Sequence, residues 1–401
     1  MHLCSLLMTA LTKIFRRIFI PRKQRMLELL FFKAYLRLWL WSKGRKRVWL
    51  FTSWCGNLAG DNPMHFYTYI RDQFPDIVPV WILIDSDRVN TLQQKGMRAV
   101  VQGSILADAW AGLAEAGFYS DIPAFGSALN RSALRVNLWH GMPMKNIGKI
   151  PTNDDIVIST STEFQRILAN AFERPLKSIV VTGQPKNDAL FRPGRRPEML
   201  TQWGNKTSII TYMPTYRGSF LDIPEVARRN DTGIFLDNML FGSLCESLSN
   251  ILRDYNAILV IKPHLRNHIT GVDIPRVVIL DEYGNKGDVP DSHELMAITD
   301  LLITDYSSVY FDFLLTNRPF IIYAPDVSTY IETQQLFFNL DGLSAGGFAK
   351  NEECLLEFIK KFLHAPDFNA TERSRLRDRF NAFTDSQSCK RVYYEVMSRL
   401  G

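Results

Sequence analysis

From Val48 onward two hydrophobic patterns alternate: short continuous runs rich in Val, Ile, Leu and aromatics, and longer stretches whose apolar positions recur at helical spacing. A short run apolar on both faces reads as a buried parallel strand, and the helical stretch after it as the crossover back to the same sheet. Strands are predicted at 48–52, 78–84, 99–101, 117–120, 136–139, 156–159 and 179–182, then at 208–212, 257–261, 277–280, 301–304 and 320–323. The rhythm breaks between Phe191 and Lys206, where Arg-Pro-Gly-Arg-Arg-Pro and then Trp-Gly-Asn-Lys interrupt it. The pattern predicts an arm at 1–47, a Rossmann-like domain at 48–190, a linker at 191–206 and a second Rossmann-like domain with a terminal helix at 207–401.

The arm has a different pattern. Met1 to Ala10 is apolar, but its basic residues follow the apolar run, the reverse of a secretory signal. From Arg25 to Trp41 the apolar residues are interrupted at helical spacing by Lys33 and Arg37, which argues against a membrane span. An interfacial helix fits, with Trp39 and Trp41 at headgroup depth and Arg22, Lys23, Arg25, Lys43, Arg45, Lys46 and Arg47 on anionic lipid. Helical spacing fits equally an amphipathic helix packed on the protein's own body.

Composition and charge narrow the class. The 401 residues, 46% hydrophobic and 22% charged, can bury two cores and are not those of a disordered chain. The net charge is +6, yet between Lys13 and Arg47 twelve Lys or Arg face Glu28 alone, a local +11 that leaves −5 for the rest. A basic arm on an acidic body points to an anionic membrane surface and not to nucleic acid. Cys4, Cys55, Cys245, Cys354 and Cys389 form no C-x-x-C pair and no zinc-finger spacing, so they read as reduced thiols and no metal site follows.

Chemistry gathers at predicted strand ends, where open α/β sheets bind ligands. After 136–139 comes Leu138-Trp139-His140-Gly141-Met142-Pro143-Met144-Lys145, a turn with His140 at its edge, either a base near neutral pH or a structural hydrogen-bonding residue. After 257–261 stands Lys262-Pro263-His264, suited to phosphate oxygens or simply surface charge. After 301–304 stands Asp305-Tyr306-Ser307-Ser308 before a helix, an anion site or a plain serine cap. Met213-Pro214-Thr215-Tyr216-Arg217-Gly218 closes a fourth strand, and Arg217 could reach the same anion. Four such strand ends over two domains indicate a ligand in a cleft between them. Neither a G-x-x-x-x-G-K-[ST] nor a strand-borne G-x-G-x-x-G is present, which sets aside P-loop kinases and NAD dehydrogenases. A rival reading takes Asp85-Ser86-Asp87 as the metal-binding loop of a single-domain glycosyltransferase.

Together these segments resemble the CDP-glycerol glycerophosphotransferase family of teichoic-acid primases and polymerases, which also includes capsule polymer synthases. The resemblance spans roughly Val48 to Val392. It is most specific at 139–145 (Trp-His-Gly-x-Pro-x-Lys), 181–188 (Val-Thr-Gly-x-Pro-x-Asn-Asp), 262–264 (Lys-Pro-His) and 304–313 (Thr-Asp-Tyr-Ser-Ser-Val-x-Phe-Asp-Phe). It implies a two-domain glycosyltransferase-B-like α/β fold, peripheral attachment at the cytoplasmic face of the cell membrane, and neither metal nor cofactor. By the same resemblance His140 is the base and His264 a second essential histidine, while Ser307 and Ser308 form the pyrophosphate turn. Arg217, Lys262 and Asp305 join them on the donor side, and Gly141 and Lys145 lie on the acceptor side.

The expected partners are a CDP-polyol donor, a lipid-linked or polymer hydroxyl acceptor and an anionic membrane surface, with a homo-oligomer left open. Two alternatives stand beside this reading: a sugar-nucleotide glycosyltransferase on the same fold, and a membrane scaffold that only binds nucleotide. The sequence departs from the family at Ala345-Gly346-Gly347, where Pro-Gly-Pro is common, at 334–338, and at Asp385-Ser386-Gln387-Ser388. The first two departures concern a loop expected to face the acceptor, so acceptor identity stays open.

Overall fold

The computed structural model describes residues 22–44, 47–215, 236–263, 272–280 and 290–401. By contacts the chain divides into two compact units, Met1–Arg135 and Val136–Gly401.

The first unit opens with helix α1 (Arg22–Ser42) and then alternates β1 (Arg47–Phe51), α2 (Asp61–Gln73), β2 (Ile77–Leu83), α3 (Ser86–Gln94), β3 (Ala99–Val101), α4 (Ile105–Ala111) and β4 (Ala116–Tyr119). Its strands lie in the order β3-β2-β1-β4, and every pairing is parallel. Pro79 sits inside β2, where a missing N–H would normally break a ladder. It is tolerated because β3 pairs only with Trp81 to Leu83, so β2 is an edge where Pro79 stands. Trp49, Phe51, Phe66, Tyr67, Trp81 and Phe118 form the aromatic core, with Phe51 and Phe118 stacked at 5.0 Å.

Helix α1 packs Leu36 and Leu40 into the same unit's second apolar layer with Trp110 of α4. Trp39 meets Trp110 edge-on at 6.2 Å, and the Arg98 guanidinium lies 4.7 Å from its ring centroid. Trp39 is thus half-buried against the protein, whereas Trp41 is 82% exposed. Among the described residues no helix is long and apolar enough to cross a membrane.

Strand β5 (Leu134–Asn137) crosses the division. In the second unit it pairs with β6 (Ile156–Ser159), which leads through α5 (Thr162–Phe172) to β7 (Ile179–Val181). Capping by the Ser161 hydroxyl on the Phe164 N–H, at 3.3 Å, starts α5. The 191–206 stretch contains a 3-10 turn, Glu198–Trp203, whose Leu200 is buried, and Arg196 ties it down by donating to the Gly204 carbonyl at 2.9 Å.

The other sheet of this unit takes in β8 (Ser208–Met213), α6 (Asp237–Leu240), α7 (Cys245–Asp254), β9 (Ala257–Ile261), β10 (Val277–Ile279), α8 (Ser292–Ile298), β11 (Leu301–Thr304), α9 (Val309–Phe313) and β12 (Phe320–Tyr323). It ends with α10 (Val327–Thr333), β13 (Phe348–Ala349), α11 (Glu352–His364), α12 (Ala370–Phe380) and α13 (Ser388–Leu400). Its strand order is β10-β9-β8-β11-β12-β13, parallel throughout. One core runs from Met142, Met144 and Phe164 to Tyr310, Phe311 and Phe380, with Phe164 and Phe311 edge-on at 4.8 Å. That shared core explains why the residues after Arg135 group with the second sheet. The two-domain parallel α/β architecture read from the sequence is the one observed.

Candidate active site

Parallel strands of equal direction end side by side, and three neighbours end where the chemistry was expected. Tyr212 of β8 is in register with Ile261 of β9, and Met213 with Thr304 of β11. Lys262, Pro214-Thr215 and Asp305 to Ser308 therefore follow three adjacent strand ends. Lys262 is buried, and Ser307 and Ser308 are half-buried. Ser308 begins α9 without a side-chain capping bond, so its hydroxyl is not used as a plain serine cap. Asp305 is fully buried and clamps Thr215, which donates its N–H to both carboxylate oxygens at 3.0 and 3.1 Å and its hydroxyl to Oδ1 at 2.6 Å. Arg217 and His264 lie outside the described residues.

The His140 turn follows β5. Strand geometry stops at Asn137 and not at the predicted Trp139, because the Asn137 side chain captures the Trp139 N–H at 2.9 Å. Trp139 takes φ +48°, a costly conformation for a bulky residue. It is held there by that hydrogen bond, by Asn137 Nδ2 donating to Asp154 at 3.0 Å, and by edge-on packing on Phe172 at 4.8 Å. Its ring backs that of His140 at 4.1 Å between centroids and leaves the imidazole exposed.

Gly141 then passes directly against Ser308: a Cβ at Gly141 would fall on the Ser308 hydroxyl and 2.7 Å from its Cβ. The glycine is required by close approach, since any side chain would push the two turns apart. Lys145 is half-buried and forms an antiparallel bridge with Leu336. The Asn146 N–H donates to Gln335 at 2.7 Å and the Phe337 N–H to Met144 at 2.9 Å. The divergent 334–338 segment thus lies along the end of the His140 turn.

The sequence reading missed a buried polar cluster beneath this turn. Lys186 Nζ donates to the His140 carbonyl at 2.6 Å and stands 3.9 Å from Asp312 Oδ2. Asp312 also accepts from Gln184 at 2.7 Å and Asn187 at 3.1 Å, and meets His293 Nε2 at 3.2 Å. Burial alone would raise the Asp312 carboxyl, but the Lys186 charge, His293 and the Asn187 amide outweigh it and hold it below the ordinary carboxylate range. The signal was present in the quoted 181–188 and 304–313 segments, each of which contributes to the cluster. Asp188 has another task, accepting the Ser388 and Cys389 N–H groups at 2.8 and 2.9 Å and so capping α13. Asp85 of the rival metal loop caps α3, accepting the Asp87 N–H at 2.7 Å.

Comparison with known proteins bears on the family of the chain and on its fold. The chain is 26% identical to the teichoic acid poly(glycerol phosphate) polymerase of Bacillus spizizenii over 391 aligned residues, covering 88% of this chain and 92% of the relative. It is 25% identical to the teichoic acid glycerol-phosphate transferase of Staphylococcus aureus, covering 86% of this chain and 92% of that one. Among solved structures, the wall teichoic acid polymerase TagF superposes with a TM-score of 0.70 at 18% identity, covering 95% of this chain and 99% of the other, a likeness of fold. The family model described as CDP-Glycerol:Poly(glycerophosphate) glycerophosphotransferase matches residues 33–398, and the chain belongs to that family.

Proposed function

We propose that this protein transfers a polyol phosphate, glycerol phosphate before others, from a CDP-polyol to a hydroxyl of a lipid-linked or polymer acceptor, releasing CMP. The observation that carries the reading is the contact of Gly141 with Ser308, which sets the histidine turn against the serine turn within one compact unit. In the proposed step the acceptor oxygen attacks the phosphorus bearing the polyol, and His140 takes the hydroxyl proton. A new P–O bond forms as the bond from that phosphorus to the pyrophosphate bridging oxygen breaks, and CMP carries away the electron pair. Lys262 and the Ser307 and Ser308 hydroxyls would offset charge on the phosphate oxygens. Asp305 acts at one remove, fixing Thr215 at the start of the segment that carries Arg217. On sequence grounds, Arg217 and His264 complete the donor set, with His264 donating to the leaving phosphate. Gly141 and Lys145 belong to the acceptor side, where the 334–338 segment adjoins them. The enzyme works peripherally at the cytoplasmic face of the cell membrane, a reading supported by the exposed apolar residues of α1.

The test is CMP release with CDP-glycerol, CDP-ribitol and a set of sugar nucleotides, with a lipid-linked acceptor and EDTA present. CMP from a CDP-polyol alone is expected, with His140→Ala slowing turnover roughly 10²- to 10⁴-fold while donor affinity is kept. Product from sugar nucleotides only, a reading the family does not favour, would overturn the donor assignment. Collapse of donor affinity in His140→Ala would make His140 a binding residue.

A further inference from the structure

The buried cluster joins elements that the chemistry must keep in register. Lys186 comes from the turn after β7, His293 from α8, and Asp312 from α9, the short helix that Ser308 begins. All three are nearly inaccessible, at 5%, 5% and 1% exposure. A buried ammonium beside a buried carboxylate is tolerated only when both are paired and hydrogen-bonded, and here Gln184, Asn187 and His293 occupy the rest of the carboxylate. What the pair leaves over is the third member of the contact: Lys186 donates a charge-assisted hydrogen bond to the backbone carbonyl of His140.

We infer that Lys186 is a positioning residue, a buried strut that fixes the His140 turn to the helix bearing Ser308 and so sets the base against the donor phosphorus. The inference rests on His140 being the base. Trp139, Asn137 and Phe172 hold the strained turn from the β5 side, and Lys186 holds it from the α9 side. Its ammonium donates to the backbone carbonyl of His140, so it acts on where the ring sits. Asp312, in turn, fixes the ammonium by placing its counter-charge beside it in this buried space.

Four variants of the full chain test this: Lys186→Met, Lys186→Arg, the charge-neutral pair Lys186→Met with Asp312→Asn, and His140→Ala. Lys186→Met should lose roughly 10²-fold in kcat, the scale of a misplaced catalytic group, with KM for the CDP-polyol little changed. The neutral pair should recover the melting temperature that Lys186→Met loses but not kcat, because the His140 carbonyl still lacks its donor. Lys186→Arg, which keeps charge and N–H donors, should retain more kcat than either. Wild-type kcat in the neutral pair beside an inactive His140→Ala overturns the lysine inference and leaves the base reading standing. Wild-type kcat in His140→Ala would instead overturn the base reading on which it rests.

Discussion

Asp312 keeps its charge in a site where burial opposes it, so its ionisation contributes to stability only while its partners are in place. The folded carboxyl titrates below its ordinary value. Its stabilisation is therefore complete above the unfolded carboxylate range, near pH ~4, and is lost as pH falls through the lower folded value. Asp312→Asn should lower stability at neutral pH by about 3–5 kcal/mol, since it strands the Lys186 ammonium. Chemical denaturation followed from pH 7 to below pH 3 should then show a flatter acid limb than wild type; an identical slope would mean that Asp312 carries no linkage. At this scale the sequence was readable where a residue's position follows from the end of a strand, as with His140 and Ser308. It was silent on the cluster, because Gln184 and Asp312 stand 128 residues apart and Lys186 and His140 stand 46 apart. Only folding decides that such residues share one buried space.

Helix α1 carries two apolar sides, one packed on the protein and one exposed. At 100° per residue, Leu36 and Leu40 lie on one side with Leu29 and Phe32 flanking them, and that side packs on α4. Leu27, Leu30, Phe31, Leu38 and Trp41 lie on the opposite side and are all exposed. Sequence periodicity could not assign the two faces, since both are apolar and Lys33 and Arg37 fall between them. Deleting the helix would therefore remove part of the unit's core, and substitutions on the exposed side make the cleaner test. Phe31→Glu with Trp41→Glu should weaken flotation with anionic vesicles by at least roughly 10²-fold, as each apolar side chain contributes about 1.5–3 kcal/mol when taken out of water. The melting temperature should stay unchanged, and equal flotation of the variant would remove the exposed side from any membrane role. The strands were more legible than this helix: twelve predicted runs each became a strand because continuous apolar runs have few other fates in a parallel sheet. Among the described residues only β13, two residues long, was missed, its pairing with β12 being too short to mark the sequence.

At the scale of the molecule, the described candidates His140, Gly141, Lys145, Lys262, Asp305, Ser307 and Ser308 all fall within Val136–Gly401. Sequence rhythm alone located the sheets but not this grouping, because it is made by side chains such as Phe164, Phe311 and Phe380 meeting from distant segments. A donor that binds these residues must stabilise the second unit first. At a hundred times its Kd, a CDP-polyol would stabilise the folded state by about 2.7 kcal/mol through mass action. Hydrogen exchange should then slow at 138–145, at Lys262 and at 301–311, the segments that carry the strand ends and the two turns, with α1 unaffected. Equal protection by CMP would assign the contacts to the nucleotide half of the donor, and weaker protection by CMP at 138–145 would show that the polyol phosphate reaches the His140 turn. Protection concentrated in Met1–Arg135 would be incompatible with a donor held at these strand ends, whatever the activity of the His140 variant.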